Sequence, residues 1–567
     1  MKPITFLAAT LALSAPVFAG EYVDWETVGK IRLEAAKNSK VMELAQTITD
    51  RLGSRLTNSS NMRRAEQWAK ETLESWGLSN VRLEGFEFGR GWTFSRCAVE
   101  MTAPTQTVLF ALPKAWSPGT KGRQVGEAVQ VSLAKEEDLE KWKGTLKGKV
   151  VLLDKAAEIK PPLEPLFKRF NEEALEAEEE FLLKPAREEK WRQQAREQRA
   201  MEKKRARFLM EEGALATVEV SSRDGGPVRV MGTQAYKPDF PEGVPAVVMA
   251  AEQYNRIVRL LEMGEKVELA LEVEASFLDG DPQAYNVIAE LPGTDLKDQV
   301  VMAGAHFDSW HAGTGATDNG ASCAVVMEAL RLLKAVGVKP RRTIRIALWN
   351  SEEQGLNGSQ AYVCEHFACW RPKDKAEEGL PEYLQQGGRE LVLKKDFEKL
   401  AAYFNIDFGS GAIRGIYTQE NLAVKPIFSA WLATVEDLGA KHVSVRSVGG
   451  TDHLSFDRVG LPGFQFIQDG LDYMSRTHHT HLDVYDRLQR EDLVKNSIIL
   501  ATFLYHAAMR EAPLPRKPLP QGETKPQSPP LRKMQPESAA TCSGGKYHGL
   551  LQRQGQRGDE DSKTQGG

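Results

Sequence analysis

Residues Val300 to Gly358 read VVMAGAHFDSWHAGTGATDNGASCAVVMEALRLLKAVGVKPRRTIRIALWNSEEQGLNG, and the fold is decided there. Two apolar runs, Val300–Met302 and Ile344–Trp349, end in polar clusters, and an apolar-periodic segment from Cys323 to Val336 lies between them. This spacing predicts a βαβ unit with chemistry at the ends of its strands. The first strand delivers His306 and Asp308, the glycine-rich loop after it Asp318, and the second strand Glu352 and Glu353. In open α/β sheets, ligands bind in the crevice outside the carboxyl ends of the strands.

Outward from this unit, helical spacing covers Trp25–Leu52 and Asn61–Trp76, with Ser60 or Asn61 as N-cap and Gly77 as a stop, and a strand Val81–Phe88 follows. Between about Trp92 and Phe277 the pattern changes to short runs: Glu127–Val131, Gly148–Leu153, Ala214–Val220, Val244–Val248 and Val267–Glu274. Such runs with turn signals predict a β-rich insertion. Inside it, Pro161 to Gly213 mixes Glu, Lys, Arg and Ala, which reads first as a solvated helical excursion and, more sharply, as a lid or dimer arm. The α/β pattern resumes with Tyr285–Leu291, Leu400–Asp407 and Gly463–Ile467, and a helix from about Arg490 to Arg510 closes it. The expected fold is α/β, a mixed central sheet flanked by helices, built from residues 20–91 and 282–512 and interrupted by an insertion over 92–281. From Pro513 to Gly567 periodicity vanishes, and disorder is expected.

A chain of 567 residues exceeds one ordinary core. Its 41% hydrophobic and 27% charged content is globular, and a net charge of -4 gives no electrostatic case for nucleic acid or a membrane surface. Lys2, the apolar run Ile4–Leu13 and the small residues of Val17-Phe18-Ala19 read as a cleaved secretory signal over 1–19, so a secreted or periplasmic location is expected. Cys364 and Cys369 are close enough to bridge; Cys97, Cys323 and Cys542 have no obvious partner, and Cys323 falls on the buried side of a helix.

Six groups fall at strand ends: His306, Asp318, Glu352, Glu353, Asp407 and His479. Catalytic metal sites use such side chains, keep a position open for water and place a carboxylate nearby as a base. Asp318 in Gly313-Thr-Gly-Ala-Thr-Asp-Asn-Gly320 is suited to lie between two ions, which two-metal hydrolases hold ~3.5–4 Å apart. Successive side chains at a strand end diverge, so Glu353 can coordinate while Glu352 moves a proton. Asp308 is spaced to hold the His306 imidazole through its other nitrogen. His311, His366, His442, His481 and His506 are read as ordinary structural histidines.

The motifs AHFDSW, GATDNG, NSEEQGLNGS, NIDFGSG, GGTDHLSF and THHTHLD, in this order, resemble the co-catalytic di-zinc exopeptidases, which include bacterial aminopeptidases, glutamate carboxypeptidase II and carboxypeptidase Q. The HFDSW…GTGATDNG spelling looks most like the carboxypeptidase Q branch. Within the insertion, LKGKVVLLDK, GALATV and VPAVVMAAEQYNRIVRLLE are similar to a protease-associated domain. The resemblance implies two Zn2+ ions, His306 and Asp407 on one, Glu353 and His479 on the other, Asp318 bridging, and Glu352 as general acid/base toward a metal-held hydroxide. His479 is preferred to His478 and His481 because the motif is usually spelled His-Thr/Ser. Asp452 and His453 are expected close to the substrate, with His453 either a donor to the developing oxyanion or a structural residue of its loop.

These readings converge on an exported zinc exopeptidase acting on terminal bonds of peptides or dipeptides. Two other classes compete. A non-catalytic binding module on the same fold is disfavoured by the intact ligand set, and a single-zinc glutaminyl-cyclase-like acyltransferase by the second site and the insertion. The choice between aminopeptidase and carboxypeptidase, and a homodimer, stay open at this stage.

Overall fold

The computed structural model describes residues 21–182, 190–377 and 388–521; the expected signal segment and the chain beyond 521 lie outside them. Eight strands form the central sheet in the order Ser79–Glu87, Gln283–Leu291, Arg342–Trp349, Leu296–His306, Leu400–Asn405, Gly463–Gln468, Ile413–Tyr417 and His442–Ser444. The middle of the sheet is parallel: Leu296–His306 runs parallel to Arg342–Trp349 and to Leu400–Asn405, which is parallel to Gly463–Gln468. Antiparallel pairs flank this middle, so the sheet is mixed, as expected.

Parallel strands need cover on both faces, which explains why Val300–His306 is buried at every position. On one face lie the helices Trp25–Asn38, Val41–Gln46, Ser60–Ser75, Ala321–Ala335 and Arg490–Met509, packed around Val301, Ala303, Ile346, Phe404 and Phe503. The other face carries Asn357–His366 and His453–Asp457 over Met302, Trp349, Tyr403 and Phe456. The first helical stretch breaks at Ser39 and Lys40 rather than running through to Leu52. The next helix is capped one residue earlier than its pattern indicates: the Ser59 hydroxyl accepts from Met62 N at 3.1 Å. Cys364 and Cys369 are bridged, joining the end of Asn357–His366 to the strand Ala368–Pro372.

The segment between Gly91 and Leu278 builds a second eight-stranded sheet, in the order Thr107–Leu109, Gly91–Ala103, Glu268–Leu278, Gln124–Gln130, Val150–Leu152, Ala216–Val220, Ala246–Met249 and Ala111–Pro113. Its core of Val99, Val150, Val218, Val247, Tyr254 and Leu271 is separate from that of the central sheet.

The charged excursion divides in two. Its first half straps back onto the central sheet: Lys168 N donates to Leu471 O at 2.9 Å, Arg169 pairs with Asp469 (2.9 Å) and Asp492 (2.8 Å), and Glu179 of the helix Glu172–Glu179 lies 2.8 Å from His442 Nδ1. This half is therefore docked rather than simply solvated. The helix Lys190–Glu212 stays with the insertion, through pairs such as Lys203–Asp239 at 3.0 Å. Residues 513–521 also depart from expectation. Leu514 is buried, Asn421 Nδ2 donates to Pro515 O (2.7 Å) and Arg516 donates to Leu400 O (2.8 Å), so local contacts order a stretch whose composition alone reads as disordered.

Beneath the strand Arg342–Trp349, Glu66 is almost fully buried and accepts from Asn350 Nδ2 at 2.8 Å. Burial pushes its carboxyl up to about 7, against the pull of Arg63. A carboxyl raised on folding costs nothing below its unfolded pKa and destabilises progressively as pH rises through the folded value. Glu66→Gln is accordingly expected to gain stability relative to the parent by on the order of 1–3 kcal/mol between about pH 5 and pH 8. Urea titrations at both pH values measure it, and a pH-independent difference would refute the buried-acid account.

Candidate metal centre

The strand Leu296–His306 ends with His306 pointing into a crevice at the carboxyl edge of the sheet, and the next strands bring Glu352, Glu353 and Asp407 to the same edge. Asp318 arrives on the loop before the helix Ala321–Ala335, its peptide to Asn319 in the cis form. Two close approaches explain why this loop is glycine-rich. A Cβ on Gly313 would stand 2.7 Å from Asp483 O, and Gly315 has φ +62°, with its carbonyl 2.8 Å from the Arg55 guanidinium.

The side chains divide around Asp318. Its Oδ1 lies 3.1 Å from His306 Nε2, which is 3.5 Å from Asp407 Oδ2. Its Oδ2 lies 3.2 Å from His479 Nε2, which is 3.0 Å from Glu353 Oε2. The ligand atoms of His306, Asp318 and Glu353 fall within 4.8 Å of one another, as do those of Asp318, His478 and His479. Glu353 Oε1 is buried without a hydrogen-bond partner. Three buried carboxylates and two imidazoles at these distances, all nitrogen and oxygen donors, fit the ligand preferences of a divalent cation such as zinc.

The electrostatics follow from this crowding. Burial works against the charged form of His306, but the carboxylates of Asp407, Asp308 and Asp318 outweigh it and hold the imidazole well above its ordinary value. His479 behaves alike, raised to about 9 by Glu353 and Asp318 against burial. Asp318, although buried, is held well below the usual carboxylate range by the two histidines. Burial pushes Glu353 up to about 7, helped by Asp318, and Glu352 well above its ordinary value.

Asp308 has a different part from the one its spacing indicates. His306 Nδ1 lies 3.0 Å from the Asp308 backbone carbonyl and 3.6 Å from its carboxylate, so the main chain orients the imidazole. The carboxylate instead accepts from the backbone N–H of Glu352 (3.1 Å) and Glu353 (3.2 Å), with the Thr57 hydroxyl 3.3 Å away and donating at 2.6 Å to Gln354 Oε1. A strand end turning sharply exposes amides in sequence, and a carboxylate two residues past a neighbouring strand is placed to receive them.

Asp452 and His453 have no exposed surface. Asp452 Oδ1 accepts from Ser359 Oγ at 2.5 Å and its carboxyl is pushed up by burial to about 7; His453 Nε2 lies 2.9 Å from Val448 O. Both therefore stand beneath the crevice rather than on its wall. His478 packs against His479 with ring centroids 3.7 Å apart and planes tilted by 35°, and His481 accepts from Val228 N at 3.2 Å, so of the three neighbours His479 is the one directed at both Asp318 and Glu353.

Two supports were not anticipated. Asp483 takes Thr317 N (2.6 Å), Thr317 Oγ1 (2.7 Å) and Asp318 N (3.1 Å), fixing the loop that carries Asp318; it lies inside the THHTHLD motif, where its presence was the available signal. The fully buried Arg55 donates to Phe307 O (2.6 Å) and Thr314 O (2.8 Å), tying both ligand segments together from a stretch with no motif.

With this geometry in view, comparison with known proteins is informative. Residues 286–504 match the profile of peptidase family M28. The motif-level resemblance to the zinc exopeptidases is borne out. Carboxypeptidase Q of Bos taurus is 26% identical over 85% of this chain and 88% of its own length. Among solved structures, a peptidase M28 precursor from Shewanella amazonensis superposes with a TM-score of 0.61 at 25% identity, over 88% of this chain and 99% of that one. A zinc aminopeptidase from Bacillus subtilis shares the fold, with a TM-score of 0.52 at 16% identity over 83% and 95% of the two chains. Among the described residues no helix is long and apolar enough to cross a membrane.

Asp308→Ala strips the backbone N–H groups of Glu352 and Glu353 of their acceptor, at roughly 1–3 kcal/mol for each unsatisfied group that stays buried. The expected result is a lower denaturation midpoint together with ~10–100-fold weaker metal affinity, measured by competition against a chelator. Unchanged metal affinity would remove Asp308 from the support of Glu352 and Glu353.

Proposed function

We propose that this protein is an exported, zinc-dependent exopeptidase that hydrolyses the terminal bond of peptides or dipeptides. The observation that carries the reading is the division of His306 with Asp407, and His479 with Glu353, onto the two oxygens of Asp318. His306 and Asp407 would hold one zinc, His479 and Glu353 the second, and Asp318 both. A zinc pair, when bound, polarises a scissile carbonyl and makes water acidic enough to deprotonate near neutral pH.

Glu352 is the proton carrier in this reading. Its backbone is pinned by Asp308, and among the described residues its side chain makes no ion pair. A carboxyl so placed takes the proton released by the attacking water and returns it to the departing amine. Asp452, behind Glu352 and bonded to Ser359, adds negative potential that favours Glu352 in its protonated form. The insertion, protease-associated in its motifs, borders the crevice and is assigned to substrate selection.

Glu352→Gln is expected to lower turnover ~10²–10⁴-fold while elemental analysis still finds the zinc content of the parent; near-parental turnover would exclude this role. Dialysis against a chelator should abolish activity and lower the melting temperature, since a ligand at ~100 times its Kd contributes roughly 2.7 kcal/mol of stability. Zinc should restore both. A stoichiometry of one zinc rather than about two would refute the paired site.

A further inference from the structure

The stretch that follows the strand Ala216–Val220 carries two arginines to the rim of the metal centre, and their environment is incomplete. Val230 N donates to His479 O at 3.1 Å, Val228 N donates to His481 Nδ1 at 3.2 Å, and Arg229 bridges Thr480, so the insertion is pinned against the loop that supplies His479. From this anchor the Arg229 guanidinium reaches 3.1 Å from His479 Nδ1. Burial and the nearby Arg229 guanidinium disfavour the charged form of Arg223, and both arginines press on His478.

Neither arginine forms an ion pair with a carboxylate among the described residues, and the Nε of each is buried without a hydrogen-bond partner. Withdrawing one cation from water is costly, and withdrawing two side by side costs more, unless an anion completes the site. The acids of the neighbourhood attract the pair without bonding to it: Glu353 and Asp318 act on Arg229 but are engaged with His479, and Asp224 acts on Arg223 from a distance. The His479 contact does not serve either. A guanidinium can only donate, so this contact is a hydrogen bond only with Nδ1 unprotonated. If His479 binds a cation through Nε2, the ring must carry its proton on Nδ1, and two donors would then face each other. A cation held at Nε2 would therefore release the Arg229 guanidinium from its 3.1 Å contact with His479 Nδ1.

We infer that Arg229 and Arg223 bind the free α-carboxylate of the substrate, making the enzyme one that releases a C-terminal residue, acting as a carboxypeptidase or dipeptidase. Guanidinium groups match a carboxylate in shape and charge, and they repel the ammonium that an aminopeptidase must seat. The reach also fits. One extended residue spans ~3.3–3.6 Å, so a carboxylate bound beside His479 lies a single residue from a carbonyl held at the centre. This inference rests on the exopeptidase reading above and assigns the polarity of its substrate.

The test uses zinc-loaded full-length protein, with a dipeptide, its C-terminal amide and its N-acetyl form. The expected result is at least a tenfold preference in kcat/KM for the free acid over the amide, with N-acetylation tolerated. In Arg229→Gln and Arg223→Gln, that preference should fall at least tenfold, mainly through KM, while zinc content and melting temperature stay parental. Arg229→Lys should retain part of the preference. A second readout needs no turnover: by calorimetry, Glu352→Gln protein loaded with zinc should bind the dipeptide at least tenfold more tightly than its amide, and the added Arg229→Gln change should erase the difference. Equal rates and equal binding for acid and amide, or a preference unaffected by both glutamine variants, would overturn the inference. If no peptide is cleaved, the exopeptidase reading fails, and the calorimetric comparison still decides whether the arginine pair selects a carboxylate.

Discussion

One carboxylate shared between two imidazoles is the constraint on which the site depends. Asp318 has His306 on one oxygen and His479 on the other, with Asp407 and Glu353 completing the two halves. Carboxylates this close and this buried repel one another and lose hydration, so they persist only where cations and backbone donors hold them. Much of the surrounding structure supplies that support. Asp483 grips the Asp318 loop, Asp308 receives the amides of Glu352 and Glu353, and Arg55 draws the Phe307 and Thr314 carbonyls together. Cys323 adds a contact of its thiol with His306 O at 3.0 Å, which gives this buried cysteine a structural rather than a reactive part.

The insertion belongs to the centre as much as to its own core. Its pairing with the His479–His481 backbone, and the 2.7 Å contact of His311 Nε2 with Pro113 O, lock the second sheet against two loops of the first. The charged strap does the same from the other side, where Leu166 O accepts from Ser475 Oγ at 2.6 Å just ahead of His478 and His479. His479, with φ +63°, is thus held in an uncommon backbone conformation from both flanks. A side chain whose position depends on three separate segments can be aimed more narrowly than one on a free loop, as a shared-carboxylate site requires.

Legibility in the sequence varied with how local each determinant is. The βαβ unit was readable because strand and helix periodicities are local, and its ends coincide with observed elements to within a few residues. The part played by Asp308 was legible only in part, because a two-residue spacing does not tell whether main chain or side chain stands nearer the imidazole. The docking of Glu172–Glu179 and of 513–521 was also hidden, since a charged or proline-rich stretch acquires order only from the surface it meets. Arg55, Arg223 and Arg229 carry no motif, and an arginine's role is set by what surrounds its guanidinium.

By itself the sequence determined the α/β class, the presence of a β-rich insertion, and the candidates His306, Asp318, Glu352, Glu353, Asp407 and His479, because these follow from hydrophobic period and from which residues end each strand. Only the tertiary structure decided that these groups converge on one point. It also decided that two arginines from the insertion stand beside them, neither in an ion pair with a carboxylate among the described residues. Convergence of this kind joins positions from Arg55 to Asp483, and it exists only when the sheet has closed and the second sheet has packed against it.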